Sequence, residues 1–493
     1  MGPGFASRRP LLIAAALALL TAASLALRTG GLRSGYWIDE GIAVGIASHP
    51  LVDIPHALVQ DGSPPLYYVL LHVWMGVAGS GEAATRSLSL LFALLAIPVS
   101  WWAGSAAFDR RTGALAAAGA AGAPFLTYYA QETRMYSLVV VLSIAACASF
   151  VLAFVRGQRR HVPLLGLWIV LLLYTHNWGL FLASGMAVAW LALRRRGKVE
   201  TRDGALLAAG IAAAYVPWLP SLVSQALHTA APWSARPGAL QLLAIPGGLF
   251  GYVAAPLLAL ALVAAVKRRP GLEDGVRMLL LIAATTALAA WLSSQLQPAW
   301  STRYLAVLMG PLLLALAAVL SRGARWTAVA LVATGAAWLI TGAAPSKSNV
   351  RTVAHRVAPE IRSGDLVVST QPEQVPVLYR YLPRGAIYLT PLGLVADPRL
   401  TDWRYGLTRL RAGKAKRTLL PIVDGLPAGR RILIVTPVGE RGKAPWSRTV
   451  RVRTREWRAA LREDPRLRPI GAPHRARLAG RRSAVRAELY QVR

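Results

Sequence analysis

The sequence predicts an α-helical polytopic membrane protein of about eleven transmembrane helices, followed by a small C-terminal α/β domain. Three observations lead there. The 493 residues are 55% hydrophobic, with long uncharged runs of Leu, Ala and Val, the composition of a chain that folds largely in lipid. Basic residues collect at alternate connections between those runs. From about residue 345 the long runs give way to charged sequence with short apolar stretches, which divides the chain into 1–344 and 345–493.

The first run, Pro10 to Leu27, offers eighteen uncharged residues, close to the roughly 20 that cross a ~30 Å hydrocarbon core. Arg8 and Arg9 before it also suit a secretory signal, but such apolar segments are usually about 7–15 residues long. An uncleaved anchor is the reading adopted. Further spans are expected near 84–107, 112–128, 135–155, 162–174, 178–193, 205–223, 240–266, 276–293, 303–320 and 326–343. With the amino terminus in the cytoplasm, one side receives eighteen basic residues, among them Arg110, Arg156, Arg194 and Lys198. The other receives six: Arg28, Arg33, Arg86, Arg134, Arg236 and Arg303. The positive-inside rule therefore places the long first loop, 29–83, outside. An odd number of spans puts the tail there too.

In the tail, Asp365-Leu-Val-Val-Ser and Arg431-Ile-Leu-Ile-Val-Thr read as buried strands, with helix-like stretches at Val375–Tyr381 and Thr454–Leu461. They suggest a small α/β domain. The net charge of +33 lies where nucleic acid is not expected. It either faces anionic lipid headgroups or a phosphate-bearing substrate, or merely solvates an arginine-rich surface. A single cysteine, Cys147, excludes a disulfide or a thiolate metal site within one chain.

Chemistry concentrates in the outer connections. Tyr36-Trp37-Ile38-Asp39-Glu40 sets two acids just after the first span, in a chain poor in acids. A carboxylate at a lipid–water boundary is costly unless paired, hydrogen-bonded or catalytic. A short helix beginning at Glu40 would make Asp39 its N-cap. Asp53, Asp61, His49, His56 and His72 share the same loop, and loops so long and so rich in ionisable groups are usually functional. Asp61-Gly-Ser-Pro-Pro-Leu-Tyr-Tyr leads into an aromatic helix whose Tyr67, Tyr68 and Trp74 suit an interfacial belt. His72 on that helix is either a metal ligand or a hydrogen-bond donor. Tyr128 to Tyr136 contains Gln131, Glu132 and Arg134, either an ion pair closing a turn or a cluster facing a cavity. Tyr174-Thr175-His176-Asn177-Trp178 adds a polar turn. Gln297 to Leu305 presents Arg303, which either snorkels or holds an anion such as phosphate.

Taken in order, Asp39-Glu40, Asp61 with Pro64-Pro65-Leu66-Tyr67-Tyr68, Gln131 to Tyr136, Tyr174-Thr175-His176 and Arg303-Tyr304-Leu305 resemble the bacterial GT-C-fold glycosyltransferases that use polyprenyl-phosphate sugars. That group is related to the protein O-mannosyltransferases and the lipid A aminoarabinose transferases. The resemblance covers about residues 1–345, and the tail is similar in placement only. Ser63 stands where relatives often carry His before the proline pair.

The resemblance implies a plasma-membrane glycosyltransferase that moves a hexose or pentose from a polyprenyl phosphate to a hydroxyl of a lipid, glycan or protein, with inversion. Its partners are the lipid-linked donor, that acceptor and membrane lipids, with no nucleic acid. Asp39 is the expected general base, with Glu40 as helper or alternative base. Arg303 and Arg134 would grip the phosphate. Tyr304, Asp61, Tyr67, Glu132 and His176 would complete the substrate site. A divalent metal cation is the one cofactor this reading leaves room for, with Glu132, His72 and His176 as candidate ligands. No cytoplasmic connection is long enough for a nucleotide-sugar domain. A flippase of lipid-linked sugars needs polar groups in mid-span, whereas these sit at span ends. An envelope-binding scaffold needs no acidic pair.

Overall fold

The computed structural model describes residues 4–229, 231–266, 272–323, 328–333, 335–336, 346–439, 442–475 and 484–493. After α1 (Gly4–Leu27), the long loop folds into α2 (Ile38–Ala47), α3 (Ile54–Asp61) and α4 (Leu66–Ala78). The bundle continues as α5 (Glu82–Ala107), α6 (Arg110–Gly122), α7 (Pro124–Tyr129), α8 (Tyr136–Phe150), α9 (His161–Leu173), α10 (Gly179–Arg195), α11 (Thr201–Tyr215) and α12 (Leu219–His228). It closes with α13 (Leu240–Leu243), α14 (Ile245–Phe250), α15 (Ala254–Val266), α16 (Asp274–Leu296) and α17 (Ala306–Leu320).

Among the described residues, seven helical segments are long and apolar enough to cross a membrane: Pro10–Leu27, Glu82–Ala107, Tyr136–Val155, Thr201–His228, Ile245–Val263, Asp274–Leu296 and Thr302–Leu320. The chain is a multi-pass membrane protein. Each of the seven overlaps an expected span, and the described residues do not confirm the count of eleven. The expected span 112–128 is broken at Ala123 (φ −64°, ψ 119°), because Pro124 pushes the residue before it out of the helical region. The spans at 162–174 and 178–193 are helices of 13 and 17 residues, and 13 residues rise only about 20 Å. Much of 326–343 lies outside the described residues.

The bundle is built around α8, every residue of which is buried. A helix apolar on all sides belongs in a core. Close packing against α17 depends on Gly310, where a Cβ would lie 2.5 Å from the Ser143 backbone. At the end of α1, the fully buried Arg28 donates to the carbonyls of Ala93, Ala120 and Ala121 at 2.9–3.0 Å. Those carbonyls replace the water that its guanidinium loses, so the residue ties α1 to α5 and α6.

The tail holds a six-stranded sheet of order β3-β2-β1-β4-β6-β5, with β1 (Leu366–Ser369), β2 (Ile387–Thr390), β3 (Gly393–Leu394), β4 (Arg431–Pro437), β5 (Leu467–Arg475) and β6 (Val485–Val492). β1 runs parallel to both β2 and β4, with Val367 opposite Tyr388 and Leu433. The other neighbouring strands are antiparallel. Both strands expected from sequence are present, as is the helix Val375–Tyr381, while 454–461 falls within the longer helix Pro445–Glu463. Alternation sends Val367, Leu433 and Leu489 to one face and Leu366, Ile432 and Tyr490 to the other.

The first of those faces is covered partly from the membrane domain. Tyr36 and Val44 share its core with Val350, Val353 and Val377. Glycine permits the contact: a Cβ on Gly41 would lie 2.4 Å from Val377 Cγ2, and one on Gly45 would lie 1.8 Å from the Arg399 carbonyl oxygen. The tail thus rests directly on α2.

Candidate active site

Helix α2 sets the two acids apart. Trp37, with extended backbone (φ −106°, ψ 176°), is its N-cap. Asp39 is therefore not the cap that the sequence suggested but lies within the first turn, where negative charge suits the positive helix end. Glu40 turns back so that its Oε2 accepts the Trp37 N–H at 3.3 Å. Neighbouring helical residues point about 100° apart, and the two carboxylates consequently meet different partners.

Glu40 is buried against Arg86, at 2.7 Å to Nε and 2.6 Å to Nη2. Their side chains are 1% and 2% exposed. The Thr133 N–H also donates to Glu40 at 2.9 Å. Arg86 spends its remaining N–H groups on the carbonyls of Gly31, Leu32, Ser34 and Gly35, which fixes the chain leading into α2. Asp39 instead reaches Arg303, with Nη1 to Oδ2 at 2.5 Å, and both side chains retain some exposure (17% and 18%). One acid is locked into the scaffold and its neighbour stays partly open.

Around Asp39 the expected residues gather from distant parts of the chain. Arg134 Nη1 donates to the Asp39 carbonyl at 3.4 Å and to the Tyr68 hydroxyl at 3.3 Å. The Tyr68 hydroxyl donates to Asp61 at 3.4 Å. Tyr67 bonds Ser89 at 2.9 Å, and Ser89 in turn donates to the Arg134 carbonyl at 2.9 Å. Tyr67 and Tyr68 are fully buried, so they are core residues rather than a lipid-facing belt. Arg303 lies over the rings of Trp233 and Tyr304, at 4.9 and 5.4 Å. Tyr304 packs on His176 at 4.8 Å and Trp178 at 5.3 Å. Burial, and then the nearby Arg134 and Arg303 charges, push the His176 imidazole down to about 3. It is neutral at physiological pH, with Nδ1 accepting the Trp178 N–H at 3.1 Å.

Glu132 is 2% exposed and pairs with Lys347 at 2.7 Å. The Lys347 ammonium also sits 4.1 Å from the Tyr128 ring centre and 4.6 Å from that of Trp37. Burial acts against that charge, but Glu132 and Tyr128 outweigh it and hold the lysine above its usual range. Three buried polar atoms here lack a partner among the described residues: Glu132 Oε2, Arg134 Nε and Arg303 Nε.

No protein-family model and no curated protein matches the sequence. Solved structures do match. ArnT from Cupriavidus metallidurans bound to undecaprenyl phosphate aligns with TM-score 0.64 at 14% identity, over 98% of each chain, and apo ArnT aligns with TM-score 0.62 over the same share and at the same identity. The archaeal oligosaccharyltransferase AglB from Archaeoglobus fulgidus, in complex with an inhibitory peptide and a dolichol-phosphate, aligns with TM-score 0.55 at 12% identity, over 87% of this chain and 70% of its own. The chain has the GT-C fold.

Within this GT-C bundle, Asp39, Arg303, Tyr304, Arg134, Asp61, Tyr67, Glu132 and His176 belong to one connected network. His72 does not join it, because its Nδ1–H donates to the Ala47 carbonyl at 2.8 Å and so anchors the end of α2. An A. fulgidus oligosaccharyltransferase of the same fold is in complex with Zn and sulfate, at TM-score 0.54 and 15% identity over 85% of this chain and 67% of that one. The residues here do not fit such a group. Glu132 is paired with Lys347 through Oε1, His72 stands apart from the network, and His176 Nδ1 accepts a backbone N–H. Among the described residues no three His, Cys, Asp or Glu side chains are grouped to hold a metal.

Sequence reasoning missed Arg86, Trp233 and Lys347. Arg86 carried a signal, since a charge five residues into an apolar 26-residue helix requires a buried partner.

Proposed function

We propose that this GT-C protein is a membrane glycosyltransferase that moves a sugar from a polyprenyl phosphate to an acceptor hydroxyl, with Asp39 as general base and inversion at the anomeric carbon. The observation that carries the proposal is the Asp39–Arg303 pair: a partly exposed carboxylate held against a cation, where Arg134 and Arg303 each have a buried N–H in need of an acceptor. A phosphate oxygen is such an acceptor.

When the donor phosphate engages Arg303, Asp39 is released to take a hydroxyl proton from the acceptor. The acceptor oxygen then forms a bond to the anomeric carbon as the bond from that carbon to the phosphate oxygen breaks. The electron pair leaves on the polyprenyl phosphate, and the guanidinium groups neutralise the charge that develops there. A single displacement of this kind inverts the centre. Glu40, saturated by Arg86, Thr133 and Trp37, is assigned to holding α2 rather than to proton transfer.

Two further features support the reading. ArnT and AglB were captured with undecaprenyl phosphate and dolichol-phosphate respectively. An apolar groove of about 570 Å³ among α9, α10 and α11, lined by Phe150, Leu165, Leu173, Trp190 and Tyr215, suits a prenyl chain. The plasma membrane, with the site and tail on its outer face, is the corresponding location.

The test supplies the purified protein in nanodiscs with radiolabelled sugar on either polyprenyl phosphate or a nucleotide, together with an envelope extract as acceptor. Label passing to the acceptor only from the lipid-linked donor supports the proposal. Transfer from the nucleotide donor alone refutes it.

A further inference from the structure

A second site lies between the first loop and the tail. Its cavity, of about 460 Å³, has His49, Asp53 and Gln60 on one wall and Thr390, Thr401 and Asp402 on the other. That volume is within the roughly 300–1,000 Å³ of small-ligand sites. We propose that it is an acceptor subsite for a hydroxyl-rich glycan, so that the acceptor is a saccharide chain longer than one ring. This rests on the transferase reading above and names its substrate class.

The lining identifies the chemistry. Thr401 is 4% exposed, yet its hydroxyl has no partner among the described residues. A buried hydroxyl without a partner is costly, and a ligand hydroxyl satisfies it in either direction. The stronger charges are already matched. Asp402 holds Arg404 and Arg409 at 2.8 and 3.0 Å, and Asp397 holds His49 and Arg399 at 2.7 and 2.8 Å. With those ions paired and the Asp53 carboxylate left as an acceptor, the cleft favours a polyol, whose hydroxyls donate to that carboxylate, over an anion. Leu394 and Leu400 add apolar surface for the C–H face of a sugar ring.

The walls are also fixed before any ligand arrives. The Trp403 N–H donates to the Gln60 carbonyl at 3.0 Å, bridging the two domains, and a preformed site loses less ordering entropy on binding. Position sets the length of the ligand. His49 lies just past the end of α2, and the eight residues from Asp39 to Ala47 alone rise about 12 Å, which exceeds one pyranose ring. An acceptor that fills the cavity and offers a hydroxyl to Asp39 must be extended.

The experiment uses the full chain in nanodiscs of uncharged lipid, probed with an array of envelope oligosaccharides of one to six rings and with a length-matched peptide array. Binding is expected for the longer saccharides and not for single sugars. Combined Asp53→Ala and Thr401→Val should weaken saccharide binding at least tenfold, with polyprenyl-phosphate binding unchanged. Leu394→Trp, at an exposed position on the rim, should block the cavity without disturbing a core. A blank saccharide array, binding of peptides instead, or wild-type saccharide affinity in both variants overturns the proposal. The two readings fail separately. If Asp39→Asn keeps full transfer while the cleft variants lose saccharide, the base assignment falls and the cleft stands. The reverse pattern removes the cleft alone.

Discussion

Asp39 and Glu40 are adjacent in sequence but are expected to fail in different ways. Glu40→Ala strands the Arg86 guanidinium, whose side chain is 2% exposed, and removing one partner of a buried pair costs about 3–5 kcal/mol. The Thr133 and Trp37 N–H groups lose their acceptor as well, adding about 1 kcal/mol each. Asp39→Asn keeps an oxygen for Arg303 at a partly exposed site and should cost no more than about 2 kcal/mol. It does remove the base, a loss of about 10²–10⁴ in turnover. Thermal unfolding in nanodiscs, followed by tryptophan fluorescence, gives the stability axis, and radiolabelled transfer per folded molecule gives the other. Glu40→Ala should melt well below wild type while its folded fraction keeps measurable turnover. Asp39→Asn should melt near wild type and be inactive. A Glu40→Ala protein that melts normally yet transfers nothing, or an Asp39→Asn protein with full turnover, refutes the division of roles.

Arg303→Ala should weaken polyprenyl-phosphate binding about 10–100-fold, the loss of a charged hydrogen bond, and Arg303→Lys should not restore it, since lysine lacks the planar fork; an unchanged Kd in titration removes Arg303 from the phosphate site. Lys347→Ala leaves Glu132 buried without its cation, so limited proteolysis should separate tail from bundle faster than in wild type, and an equal rate rejects the tether. His176, lowered to about 3 in the fold from an ordinary 6.5, takes up its proton first in the unfolded chain. Its contribution to stability is complete above about pH 6.5 and declines as pH falls toward 3. The melting midpoint should therefore drop more between pH 7 and 5 in wild type than in His176→Gln, and parallel drops contradict the buried neutral imidazole.

How much of this was legible depends on how far apart the partners lie. The acid pair at Asp39-Glu40, the strands at Leu366–Ser369 and Arg431–Pro437 and the helix Val375–Tyr381 follow local pattern, and local pattern was enough to find them. What separates the surroundings of Asp39 from those of Glu40 is not local. It depends on Arg86, 46 residues beyond Glu40, and on Arg303, 264 residues beyond Asp39. Lys347 was hidden for the same reason, 215 residues from Glu132. Seven of the eleven expected spans are long apolar helices among the described residues; in three others Pro124 or a short helix interrupts a run that looks continuous in sequence, and 326–343 lies largely outside the described residues. Tyr67 and Tyr68 read as belt residues because an aromatic pair beside a proline turn looks the same whether it faces lipid or the core.

The glycines of α2 bring the tail into direct contact with the helix that carries Asp39. Gly41 and Gly45 let Val377 and the Arg399 carbonyl press where side chains would otherwise project, so the helix bearing Asp39 is gripped between the bundle and the tail. A chimera that exchanged only the region after residue 345 would bring a foreign surface against that helix and shift the carboxylate it carries. Grafting the tail therefore means grafting residues 35–48 with it, as a matched lock and key.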